Sequence, residues 1–71
     1  MTREMQDEFI MLYLELIEAA EDMERRGFAQ KAAVYTAQAE GMRNAIEILG
    51  YEIREQYNES LNGNEIYITK G

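Results

Sequence analysis

The chain of 71 residues has no cysteine, no histidine and no proline. Without cysteine there is no disulfide framework and no thiolate ligand for zinc, and the composition is compatible with a reducing compartment. Without histidine the chain lacks the commonest general base and the commonest metal-binding side chain. The composition therefore predicts a protein that is not an enzyme and that holds neither a metal nor any other cofactor.

A targeting signal and a membrane span are also missing from the sequence pattern. Residues 2–8, with three acids and one base, precede the apolar run FIMLYLELI at 9–17, whereas a secretory signal starts with basic residues. Glu18, Glu21 and Asp22 follow that run closely, so it falls short of the roughly 20 apolar residues that cross a bilayer. We therefore expect a cytoplasmic protein, folded as one small domain over residues 1–71.

Negative charge is concentrated in the first third of the chain. Residues 1–24 contain eight acidic residues and one basic residue, Arg3, whereas residues 25–71 contain six of each. The net charge of −7 therefore arises entirely before residue 25. A surface of this sign repels phosphate backbones and anionic lipid headgroups and attracts basic proteins. We expect a protein partner with a basic surface, no direct binding to nucleic acid and no binding to membranes.

Apolar spacing predicts two amphipathic helices, over residues 2–26 and 28–49, joined at Gly27 into an antiparallel helical hairpin. The stripe of the first helix consists of Met5, Phe9, Leu12, Leu16, Ala19 and Met23. The stripe of the second consists of Phe28, Ala32, Tyr35, Ala39, Met42, Ile46 and Leu49. Beside it runs a row of small residues that would let a neighbouring helix approach closely, made of Ala33, Ala37, Gly41 and Ala45.

Residues 51–70 have a different pattern. Tyr51, Ile53 and Tyr57 alternate with polar residues, and the turn sequence at 62–64 precedes a second short apolar run, which together predict a β-hairpin. The expected fold is therefore mainly α, of the α+β type. The alternative is an all-α fold in which the second helix continues through Gly50, because residues 49, 53, 57 and 61 also fit helical spacing.

Two groups of residues on the first helix are candidates for contact with a partner. The acidic group lies along one strip of the helix with no basic residue between its members, and consists of Glu8, Glu15, Glu18 and Asp22. The apolar group lies beside or beyond the stripe that faces the second helix, and consists of Ile10, Met11, Tyr13, Leu14 and Ile17. The tail, a second copy or a different protein could cover the apolar group, and a solvated face without a partner is the alternative for the acidic strip.

These features favour a small acidic regulator or inhibitor without enzymatic activity. It would form a homodimer and dock its acidic and apolar helix face on a basic surface of a partner protein, including one that itself binds nucleic acid. One alternative is a structural helical hairpin that assembles with itself. A third class, an RNA-binding helical hairpin, would require Lys31 and Arg43 of the second helix to converge.

Overall fold

The computed structural model describes residues 1–71 and contains two helices followed by two strands. Helix α1 spans Arg3–Arg25 and helix α2 spans Ala29–Ile48. Strand β1 spans Tyr51–Asn58 and strand β2 spans Gly63–Lys70, with a short 3-10 turn at Glu59–Leu61 between them. The predicted fold, a helical hairpin followed by a C-terminal β-hairpin, is confirmed, and each helix is one residue shorter at both ends than predicted.

Helix α1 has a side-chain cap at its start and a glycine at its end. The Thr2 hydroxyl oxygen accepts a hydrogen bond from the backbone N–H of Met5 at 3.1 Å, which satisfies one of the free donors of the first turn. At the other end, Gly27 has a φ of +84°, and the N–H of Phe28 donates to the carbonyl of Met23 at 2.8 Å. This hydrogen bond, with Gly27 in the left-handed region, is the Schellman arrangement that stops a helix and turns the chain back.

Gly50 ends helix α2 in a similar way. Its φ is +90°, and its N–H donates to the carbonyl of Glu47 at 3.0 Å. Residues with a side chain rarely adopt this φ, and strand β1 begins at the next residue, Tyr51. The all-α alternative, with the second helix continuing through Gly50, is therefore wrong.

The two strands pair in antiparallel register, with Tyr51 opposite Lys70 and Ile53 opposite Ile68. Because side chains alternate between the faces of a strand, Ile53, Ile66 and Ile68 share one face. Ile68 is buried, so this is the face that packs on the helices. An isolated two-stranded ribbon is only marginally stable in water, and the helical hairpin supplies the missing support.

The core of the chain is thin. Only six residues are buried, and three of them are alanines; the six are Tyr13, Ala20, Ala32, Ala39, Ile46 and Ile68. All three buried residues of α2 belong to the predicted stripe of seven, whereas Phe28 and Leu49 at the two ends of that stripe are exposed. On α1 the predicted stripe is wrong, because Tyr13 and Ala20 are buried while Met5 and Leu12 are exposed.

The row of small residues on α2 does not face α1. Ala33, Ala37, Gly41 and Ala45 are all exposed, so the expectation of close helix packing along this row within the chain is wrong. Alanine does allow the helices to approach each other, but it does so at Ala32 and Ala39, inside the apolar stripe.

Two glycine substitutions are expected to change stability in opposite directions. Gly50→Ala should lower the free energy of unfolding by about 1–2 kcal/mol, because its φ of +90° is unfavourable for a residue with a side chain. Gly41→Ala should raise it by about 0.5–1 kcal/mol, since Gly41 lies inside a helix. An added Cβ meets nothing within 4 Å at either position, so the pair isolates the backbone effect. Denaturant titration measures both, and a stabilising Gly50→Ala would contradict the left-handed helix end.

Candidate interaction surfaces

The outward side of α1 carries an almost continuous acidic surface. At about 100° per residue, five exposed acidic residues occupy one face of the helix, opposite the buried Tyr13. We call this the acidic face, and it consists of Glu4, Asp7, Glu8, Glu15 and Glu18. Three of the five belong to the predicted strip, and Glu4 and Asp7 extend that strip towards the start of the helix.

The carboxylates of Glu8, Glu15 and Glu18 have no basic partner. The three ion pairs of the chain involve two other acids: Asp22, with Arg25 at 3.7 Å and Arg26 at 3.2 Å, and Glu52, with Arg54 at 2.7 Å. Asp22, the fourth predicted acid, is half-buried and partly neutralised by these arginines. The acidic face therefore consists of solvated, uncompensated negative charge, and Asp22 lies at its end with arginines beside it.

Of the five apolar residues predicted to contact a partner, only Met11 is exposed. Its side chain is 63% exposed and lies within the acidic face, between Glu8 and Glu15. Tyr13 is buried against the second helix, and Ile10, Leu14 and Ile17 are half-buried.

The β-hairpin covers part of this apolar group. Leu14 and Ile17 line a cleft together with Ile53 and Ile66 of the two strands, so the tail packs beside these α1 residues. This leaves little of Tyr13, Leu14 and Ile17 for contact with another molecule. Any apolar contact that the acidic face makes with a partner would come from Met11.

A groove of about 300 Å³ runs between the two helices on the same side as the β-hairpin. Its floor is formed by Tyr13, Ile17 and Ala39, and the guanidinium carbon of Arg43 lies 5.8 Å from the centre of the Tyr13 ring. A cation over an aromatic face is attracted by the ring electrons, so Arg43 is held at this position. The groove therefore lies on the flank of the helical hairpin on which the β-hairpin packs.

The basic residues of α2 do not form a common surface. Lys31 and Arg43 are twelve residues apart, which is about 18 Å along the helix and about 120° around it. The Lys31 amine lies 5.2 Å from the centre of the Phe28 ring, at the turn between the helices, whereas Arg43 lies over Tyr13. The convergence of Lys31 and Arg43 that an RNA-binding hairpin requires is absent.

The acidic residues do not cluster into a metal site, because no three carboxylates lie close enough together to hold an ion. Neither helix combines the length and the apolar composition that crossing a bilayer demands.

Comparison with models of known protein families, with curated proteins and with solved structures finds no match. Function is therefore inferred from the charge, the exposure and the packing of the surfaces described above.

Proposed function

We propose that the chain is a non-enzymatic protein-binding regulator or inhibitor that docks its acidic face on a basic surface of a partner protein. The observation that carries this proposal is the set of unpaired carboxylates of Glu8, Glu15 and Glu18, which all point away from the rest of the chain. Like charges in one strip repel each other, so this arrangement does not stabilise the free helix. A basic partner would convert that repulsion into attraction.

The chemistry of the acidic face suggests how the complex would form. Exposed charges of one sign attract an opposite surface over a distance and accelerate encounter, mainly at low ionic strength. Met11, at the centre of the face, would then add a flexible apolar contact that adapts to the surface it meets. The partner would therefore present lysine or arginine side chains around a small apolar site, and the basic patch of a protein that binds nucleic acid would supply such charges.

The oligomeric state and the cellular compartment of the protein are also proposed. We propose that it acts in the cytoplasm and as a homodimer, which would carry two acidic faces. A structural protein that only assembles with itself is the second candidate, because the thin core leaves much apolar surface uncovered. Direct RNA binding is disfavoured by the separation of Lys31 and Arg43 and by the negative sign of α1.

Charge reversal of the acidic face tests the proposal. The triple change Glu8→Lys, Glu15→Lys and Glu18→Lys should abolish capture of the partner from a lysate of the native cell. The wild-type chain should capture it less as salt is raised, because exposed charges are screened beyond about 8 Å at physiological ionic strength. The fold should persist, since all three side chains are exposed and a lysine at position 8 would gain the favourable i, i+4 pairing with Glu4.

A matched control separates the position of the charges from their number. The triple change Glu40→Lys, Glu47→Lys and Glu59→Lys alters the net charge equally, at three exposed acids that lie outside α1 and have no ion pair. This control should capture the partner at close to the wild-type level. Equal loss of capture by both triple variants would show that net charge alone matters, and unchanged capture by the first would leave the acidic face as a solvated surface.

A further inference from the structure

The β-hairpin packs on one flank of the helical hairpin, and the other flank is open. The groove is lined by Ile17 and Glu21 of α1 and by Thr36 of α2, and the β-hairpin packs on that same side. At about 100° per residue, the opposite side of the helix pair contains a second set of residues. We call it the open flank, and it consists of Met5, Leu12, Leu16, Ala19 and Met23 of α1 and Tyr35, Gln38, Met42 and Leu49 of α2.

The open flank is apolar but not buried. None of its nine residues belongs to the buried set, and Met5, Leu12 and Leu49 are exposed. Eight of the nine are hydrophobic, and they form a two-helix surface on the side away from the cleft that the β-hairpin lines. Most of them belong to the two stripes with the strongest helical periodicity in the sequence. That periodicity indicates that the stripes pack against other apolar residues. Within one chain the residues of the open flank are not buried by such packing.

The total surface of the chain is too large for a compact monomer. Its accessible surface is 5508 Å², whereas a monomer of 8.3 kDa exposes about 4,600 Å². Its radius of gyration is 13.2 Å, against about 11 Å for a compact domain of 71 residues. The excess of about 900 Å² is close to the roughly 800 Å² that each partner buries in a standard stable interface. One chain therefore exposes about as much additional surface as dimerisation removes.

The charge pattern identifies a second copy as the occupant. The chain has 14 acidic and 7 basic residues, yet none belongs to the open flank; the Lys31 amine lies over the Phe28 ring, at the turn between the helices. In a two-fold dimer the same surface is used by both copies, so an acid near the axis would face an acid. A surface that binds a basic partner would instead contain acidic residues, and on α1 these lie on the neighbouring acidic face. The open flank is thus suited to its own copy and the acidic face to a different protein.

We infer that two copies join through their open flanks into a four-helix bundle, with the β-hairpins on the outside. This inference rests on the proposed homodimer and adds the surface that forms it. The acidic face lies beside the open flank on α1, around Glu15 and opposite Tyr13, so it stays outside the bundle. The dimer therefore presents two acidic faces, which permits bivalent contact with a partner that has two basic surfaces.

Two neighbouring substitutions test the interface. Light scattering or sedimentation of the wild-type chain should give twice the chain mass of 8.3 kDa at micromolar concentration. Leu12→Glu should reduce the measured mass to that of one chain, because it places an unpaired charge within the dimer interface. Met11→Glu should leave the dimer intact, since Met11 is more exposed than Leu12, 63% against 50%, and points about 100° away into the acidic face.

The possible results separate the proposals. A wild-type chain with the mass of a monomer at every soluble concentration overturns both the homodimer and this interface. A dimeric Leu12→Glu, or a Met11→Glu that dissociates, overturns the interface alone. Docking through the acidic face is measured independently by the variants of Glu8, Glu15 and Glu18. If that docking fails, the measured masses of the wild-type, Leu12→Glu and Met11→Glu chains stay as expected.

A second variant covers the case in which Leu12→Glu does not fold, which circular dichroism would show. Met5→Glu lies in the first turn of α1, where the helix dipole favours an acid and where glutamate three residues after Thr2 completes a capping box. The isolated chain should therefore tolerate it. Met5→Glu should still shift the monomer–dimer balance towards monomer, and a Met5→Glu dimer as tight as wild type would overturn the interface.

Discussion

Ile46→Ala is expected to lower the free energy of unfolding by about 2–5 kcal/mol, the usual range for truncating a buried isoleucine. Ile46 is the least exposed residue of the chain, at 2%, and it is one of only two large aliphatic side chains among the six buried residues. A domain of 71 residues has a total stability of about 4–10 kcal/mol. The loss would therefore remove a large share of the stability, and denaturant titration at fixed protein concentration measures it.

Ile48→Ala is the matched control for this prediction. Ile48 is two residues away on the same helix, but it is 86% exposed and lies outside the open flank. Its replacement should change the free energy of unfolding by no more than about 0.5 kcal/mol, because it removes little buried surface. Similar losses for both variants would show that the outer side of α2 is covered in solution.

The ends of the helices and the change to strands could be predicted from particular glycines. Gly27 and Gly50 each follow a stripe of helical periodicity, and both have the positive φ that stops a helix. At Gly50 the periodicity alone was ambiguous, since Ile53 and Tyr57 fit both helical and alternating patterns. The β-hairpin forms because the positive φ of Gly50 ends the helix and turns the chain. In addition, the alternation of side chains along the strands places Ile53 and Ile68 on one face, against the helices.

The buried side of α1 could not be predicted from periodicity. Its apolar residues extend over more than half of the helix circumference, from Leu12 through Tyr13 to Leu14, so no single stripe is dictated by the spacing. The β-hairpin selects the side around Tyr13 and Ala20, because it packs against Leu14 and Ile17. Long-range packing of this kind has no local signal in the sequence.

The acidic face is partly visible in the sequence, because charged residues on one side of a helix remain exposed in almost any packing. Glu8, Glu15 and Glu18 are exposed, as expected for such residues. Asp22 differs, and its ion pairs with Arg25 and Arg26 follow from the i, i+3 and i, i+4 spacing of the three residues. That spacing is visible in the sequence, so Asp22 could have been excluded from the unpaired set on the sequence alone.

Small residues at every fourth position proved to be a poor guide to close helix contact. Ala33 and Ala37 follow that spacing and are exposed, whereas Ala32 and Ala39 are buried within the apolar stripe. The physical reason is that small size permits close approach but does not drive it. Burial of the larger neighbour Ile46 determines which side of α2 turns inward, and the alanines on that side then set the distance between the helices.

Ala32→Leu should therefore lower the free energy of unfolding by about 1–3 kcal/mol, through overpacking where α1 and α2 meet. Ala32 is 3% exposed and does not line the groove between the helices, so the added carbons have no open space to occupy. The next residue, Ala33, is exposed, so Ala33→Leu should change the free energy of unfolding by no more than about 0.5 kcal/mol. Denaturant titration of the two variants compares the helix contact directly. A larger loss at Ala33 than at Ala32 would mean that the row of small residues, and not the apolar stripe, packs against a helix in solution.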